Sequence, residues 1–145
     1  MNKPNILIVE DDPMWRDVVK EMLETEDYEV TEAENYETAL TAIKKPDLQL
    51  VLMDLRLTEA DEKDRKGLTL LSYIGMFNPC ARAIVITAYA DFQSEAKRAS
   101  YGVFDYLLKQ ELEQASFLRI VQDAIQEAFD CQAGVKERPA YPEYL

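Results

Sequence analysis

The sequence predicts an α/β domain built on a five-stranded parallel sheet. Two observations carry that prediction. Apolar periodicity switches between a strand pattern and a helix pattern five times along the chain, and the third strand-like run, LQLVLMD, is apolar at nearly every position. Repeated alternation implies parallel strands joined by right-handed helical crossovers. A run that apolar implies a strand covered on both faces.

Each element follows in order. Residues 5–10 (NILIVE) form the first strand and end in acids. Asp12 and Pro13 read as an N-cap with proline at the first helical position. The helix they open runs to about residue 26, with Met14, Trp15, Val18, Val19, Met22 and Leu23 at helical spacing. Residues 28–33 are the second strand and 35–44 the second helix, followed by Pro46. The third strand covers 48–54. Residues 58–66 (TEADEKDRK) read as a polar loop ended by Gly67, and the third helix carries Leu68, Leu70, Leu71 and Ile74. Residues 82–88 (RAIVITA) are the fourth strand, 91–100 a short fourth helix and 103–107 the fifth strand. A last helix spans about 112–131. Residues 132–145, with Pro139 and Pro142, read as a loose tail or the start of a linker, leaving one domain over 1–131.

Composition narrows the function. The chain has 145 residues, 48% hydrophobic and 30% charged, a globular profile for a single domain. Sixteen basic residues against 28 acidic ones give a net charge of −12, which argues against binding nucleic acid or an anionic membrane surface. With no histidine, histidine metal sites, histidine triads and histidine phosphotransfer on this chain are excluded. Cys80 and Cys131 lack CxxC spacing, so neither a disulfide framework nor a zinc site is expected, and a reducing cytoplasm is the default. No stretch reaches transmembrane length. The four glycines, at 67, 75, 102 and 134, make neither GxGxxG nor GxxxxGK.

In parallel sheets, ligands sit beyond the carboxyl ends of the strands. Those ends carry Glu10, Asp11 and Asp12, then Asp54, then Thr87, and then Lys109 just past the fifth strand. Carboxylates brought together repel, and a cation relieves them. Two or three carboxylate oxygens suit Mg²⁺, which keeps several waters and accepts a phosphate oxygen. An aspartate beside such a metal can attack phosphorus. Lys109 would then supply positive charge and the Thr87 hydroxyl a hydrogen bond to the phosphoryl group.

The segments ILIVEDDP (6–13), VLMDLRL (51–57), VITAYAD (85–91) and GVFDYLLK (102–109) together resemble the response-regulator receiver domains of bacterial two-component signalling. The resemblance runs from residue 5 to about 130. It implies a doubly wound, flavodoxin-like fold with strand order 2-1-3-4-5 and five helices. It makes Asp54 the phosphoacceptor, Asp11 the principal Mg²⁺ carboxylate, Glu10 its helper through a water, and the Arg56 backbone carbonyl a further ligand. Thr87 and Lys109 would hold the phosphoryl group, and Tyr106 would be the aromatic switch. The implied donor is a sensor histidine kinase or a phosphotransfer protein. The implied recipient is a downstream protein or output domain, reached through the face of helix four, strand five and helix five, where a homodimer would also form. Three positions depart from the pattern: Thr58 and Gln110 stand where the family has prolines, and the loop from Asp54 to Gly67 is longer. Without proline at 110, the Lys109–Gln110 peptide is expected to be trans. Arg56 and Tyr89, two residues after the acceptor and the threonine, are expected to shield the phosphoryl group from water.

Taken singly, several of these residues have ordinary readings. Glu10, Asp11 and Asp12 could be a solvated cap, Thr87 a strand residue, Lys109 a surface lysine and Tyr106 packing. Asp54 resists that treatment, because a buried carboxylate without a partner is costly. Two other classes compete. A magnesium-dependent phosphohydrolase using an aspartyl phosphate would want a second acid two residues after the first, where Arg56 stands. An adaptor that binds partners without being phosphorylated would lack site residues that are present here. A receiver that is not an enzyme on a separate substrate is therefore the expectation.

Overall fold

A computed structural model describes residues 3–54, 61–88 and 103–134, without the side chains of 61–65. The strands are β1 (Asn5–Val9), β2 (Glu29–Ala33), β3 (Leu50–Met53), β4 (Arg82–Thr87) and β5 (Val103–Leu108). The helices are α1 (Pro13–Leu23), α2 (Tyr36–Ile43), α3 (Asp61–Phe77) and α4 (Gln114–Gln132), the last preceded by a 3₁₀ turn at Lys109–Glu111. All five strands pair in parallel in the order β2-β1-β3-β4-β5. This is the doubly wound, flavodoxin-like arrangement implied above. The predicted helix at 91–100, the Arg56 and Tyr89 positions and the tail from 135 lie outside the described residues.

Period-two alternation along the strands sorts the side chains into two cores. Leu7, Val51, Met53, Ala83 and Val85 face Ala39 and Ile43 of α2 and Leu70, Leu71 and Ile74 of α3. Their alternates Ile6, Ile8, Leu50, Leu52, Ile84 and Ile86 face Val19 and Leu23 of α1 and Phe117, Val121, Ala124 and Ile125 of α4. Every residue of β3 and β4 is buried, as the apolar runs LVLM and AIVI require of central strands, and Arg82 and Thr87 are buried with them. Asp12 caps α1 through its side chain at 2.9 Å from the Met14 amide, with Pro13 in the first turn. Asn35 caps α2 at 2.8 Å from the Thr38 amide.

The structure corrects the sequence reading in two places. Residues 61–66 are not loop but the opening turns of α3, which passes through Gly67 without a break. Glu, Lys and Arg are good helix formers, so a charged run there extends the helix even though it lacks apolar periodicity. Secondly, Cys80 and Cys131 are joined in a disulfide. They lie 51 residues apart in sequence, but the turn before β4 packs beside the last turn of α4 and brings their Cα atoms to 5.5 Å. Sequence spacing carries no trace of that approach. The Lys109–Gln110 peptide is trans, as expected.

Candidate functional site

The sheet order reverses between β1 and its two neighbours, so the crossovers leaving β1 and β3 diverge to opposite faces. A crevice opens where they part, at the carboxyl ends of those two strands. Glu10 and Asp11 follow β1 directly, and Asp54 follows β3. The Asp54 amide donates to the Val9 carbonyl at 3.1 Å, which fixes the two strand ends side by side. Glu10, Asp11 and Asp54 each bring a carboxylate oxygen within 4.8 Å of the others. Glu10 is buried, Asp54 half-buried and Asp11 exposed, so the cluster opens to solvent on one side.

Lys109 closes the other side. It leaves the end of β5 in the 3₁₀ turn, and its Nζ lies 3.0 Å from Glu10 Oε1 and 3.2 Å from Asp54 Oδ2. Burial works against its charge, but the Asp54 and Glu10 carboxylates outweigh that and hold the ammonium above its usual value. Glu10 is pushed the other way, up to about 7, first by burial and then by the Asp54 charge. Lys109 and the Asp12 amide, which donates to Glu10 Oε2 at 3.1 Å, oppose the rise without cancelling it. The rise reports both the burial of this carboxylate and the like charge of Asp54 beside it. The three clustered carboxylates are hard oxygen donors of the kind that suit Mg²⁺. Glu10, Asp11 and Asp54 fit such an ion by chemistry and by proximity.

Thr87 ends β4 completely buried. Tyr106 pairs with Val85 and packs, half-buried, against the α2/α3 core. Since Thr87 is two residues beyond Val85, it shares that face of the sheet and lies diagonal to Tyr106. The structure thus gathers Glu10, Asp11, Asp54 and Lys109 into one cluster and sets Thr87 and Tyr106 on adjoining strands. A cavity of about 250 Å³ adjoins the cluster, between the ends of β1 and β3, the start of α2 and α3. Tyr36 and Lys66 line it, with the Lys66 ammonium 5.7 Å from the Tyr36 ring centre.

Two neighbours escaped the sequence reading. Trp15 carries no signal in the sequence beyond its place in the α1 stripe, yet its ring centre lies 5.2 Å from Lys109 Nζ. Arg16 donates from Nη1 to the Glu10 carbonyl at 2.9 Å and pairs with Glu32 at 3.4 Å, tying α1 to the strand end that carries the acids.

Comparison with known proteins identifies the family and the fold. The response regulator receiver domain model matches residues 6–122. The transcriptional regulatory protein ZraR of Klebsiella oxytoca is 31% identical over 105 residues, covering 72% of this chain and 23% of that protein. The chain therefore spans about a quarter of that relative. An uncharacterized 14.6 kDa protein from the sodA1 3' region of Leptolyngbya boryana is 33% identical over 118 residues, covering 81% of this chain and 87% of that one. Among solved structures, a CheY-like receiver domain protein from Methanospirillum hungatei superposes with a TM-score of 0.74 at 26% identity, over 89% of this chain and 98% of that one. With its strand order, its acidic crevice and these matches in agreement, the chain belongs to the response regulator receiver domain family.

Proposed function

We propose that this receiver domain accepts a phosphoryl group on Asp54 from a sensor histidine kinase or a phosphotransfer protein. One observation carries the reading: Lys109 bridges Asp54 and Glu10 at about hydrogen-bond distance, in a cluster where three carboxylates meet. An Asp54 carboxylate oxygen attacks the phosphorus of the donor, and the bond from phosphorus to the donor nitrogen breaks. Lys109 then turns its ammonium from the Asp54 carboxylate to a phosphoryl oxygen, and the Thr87 hydroxyl donates to another. Bound Mg²⁺, held by Asp11, Asp54 and Glu10 with the Arg56 carbonyl, would offset the charge brought together there.

Movement of Thr87 toward the phosphoryl group would leave room for Tyr106 to turn inward, shifting an existing two-state equilibrium. The face of β5, α4 and residues 91–100 would then engage a downstream protein, an output domain or a second copy. The domain works on no separate substrate in this reading, and its place is the cytoplasm. Net charge −12 opposes direct contact with DNA, so any output through DNA runs through another domain. Among the described residues no helix is long and apolar enough to cross a membrane.

Intact-mass measurement with a small phosphodonor tests the assignment. Wild-type protein should gain one phosphoryl group when Mg²⁺ is supplied and not in chelator, and Asp54→Asn should gain none. Equal gain by both proteins would refute it.

A further inference from the structure

The Cys80–Cys131 pair lies at the edge of the sheet opposite the acidic crevice, where α4 ends. Three side-chain links converge there on one stretch of that helix. Arg82, 1% exposed, donates from Nε to Glu127 at 2.7 Å and from Nη1 to the Cys80 carbonyl at 2.7 Å. Gln49 donates to Gln132 at 3.2 Å, and its own Oε1 accepts from the Asn5 amide at 2.7 Å. Cys80 bonds to Cys131. Glu127, Cys131 and Gln132 fall at i, i+4 and i+5 on one side of α4, so a single helix face meets the amino-terminal ends of β1, β3 and β4. Two of these links survive reduction. The third does not, and both cysteines are half-buried, within reach of solvent thiols.

We propose that Cys80 and Cys131 form a reversible redox site that locks the last turn of α4 to the sheet. The oxidant is a small disulfide of the glutathione class. One cysteine thiolate attacks a sulfur of that disulfide, forming a mixed disulfide and expelling one small thiolate. The second cysteine attacks the protein-bound sulfur, forming Cys80–Cys131 and expelling the other small thiolate. Two electrons pass from the protein to the small disulfide, and the two cysteine protons end on the released thiols. Excess small thiol reverses the sequence. In the closed form the Cα atoms lie 5.5 Å apart, within the usual range for disulfides. The Arg82–Glu127 and Gln49–Gln132 links keep the helix end in place while the bond is open, so the closed form can be regained.

The site lets thiol redox state set how firmly α4 is anchored, independently of Asp54 chemistry at the other edge. Full-length protein equilibrated in glutathione buffers of increasing oxidised fraction, then trapped with N-ethylmaleimide and weighed intact, tests this. In reducing buffer each cysteine should carry a label. In oxidising buffer the protein should carry none and weigh two hydrogen atoms less, with no glutathione retained. Oxidised wild type should melt roughly 6–12 °C above reduced wild type. Hydrogen exchange at residues 127–132 should slow on oxidation. Cys80→Ser should instead hold one glutathione on Cys131 and show no rise in melting temperature. Full labelling in oxidising buffer, glutathione on both cysteines of wild type, or equal melting of the two wild-type forms would each overturn the proposal. None of these readouts involves phosphorylation.

Discussion

Glu10 makes the metal-free domain sensitive to pH in an unusual direction. Its carboxyl is raised from 4.5 to about 7 in the folded chain, through burial first and the charge of Asp54 second. Below about pH 4.5 it is protonated in folded and unfolded chains alike, and it costs nothing. As pH rises, the unfolded chain releases this proton first, which favours unfolding. Once pH passes 7 both forms are ionised and the full cost is present. That difference in proton affinity corresponds to roughly 3 kcal/mol, which for a domain of this size lowers the melting temperature by about 6–12 °C. Thermal melts in chelator, taken from about pH 5 to about pH 8, should therefore show wild-type stability falling. The other acids contribute a background, so the decisive quantity is the difference from Glu10→Gln, which lacks the titrating group and should fall much less. Millimolar Mg²⁺ at the upper pH should restore part of the loss in wild type. Parallel pH profiles for wild type and Glu10→Gln would refute the reasoning.

Trp15 should hold Lys109 in its pose. A cation over an aromatic ring contributes about 0.5–2 kcal/mol, so Trp15→Ala should slow phosphorylation of Asp54 by a few-fold and Trp15→Phe by less, read from time courses with a small phosphodonor. Equal rates in all three proteins would discount the contact. Glu127→Ala should cost roughly 1.5–3 kcal/mol in urea unfolding, because it removes the charged partner of a guanidinium that is 1% exposed and keeps its bond to the Cys80 carbonyl. Arg82→Met, which removes the buried charge itself, should cost less, and the reverse order would show that the pair is not the source. Replacing Arg56 and Tyr89 together with alanine should speed phosphate loss from Asp54 about tenfold, corresponding to about 1.4 kcal/mol of barrier. A decay rate equal to wild type would set aside their shielding role.

What the sequence reveals and what it hides divide along physical lines. The strands are legible because β3 and β4 must be apolar on both faces, and LVLM and RAIVIT could hardly be read otherwise. The start of α1 is legible because its cap is local chemistry, in which Asp12 bonds the backbone two residues on. The acidic cluster is legible because strand ends in a parallel sheet share an edge, so Glu10, Asp11 and Asp54 converge by topology alone. The start of α3 is hidden, since a run of charged residues has no apolar period to betray a helix. Contacts made across the fold are hidden too. Trp15 meets Lys109 from 94 positions away in number, and Cys80 meets Cys131 from 51. In each case the sequence supplies the group, and only packing decides its neighbour.

The same division separates two kinds of control in this domain. At the carboxyl edge of the sheet, Glu10, Asp11, Asp54 and Lys109 balance opposed charges, which on the proposed function a cation or a phosphoryl group would retune. At the amino edge, a buried Arg82 pairs with the half-buried Glu127 and a disulfide stands beside them. α4 runs along the sheet between these edges, with Phe117 and Val121 in the core near its start and Glu127 to Gln132 anchored at its end. In the switch proposed above, a rearrangement of β5 at Tyr106 and Lys109 would act on the chain just before α4 begins, at the end away from its links to the sheet. On the proposed function, the helix would then pivot about its anchored turn more readily than slide along the sheet. Loosening that turn by reduction would change the size of the response without touching the residues proposed to receive the phosphoryl group.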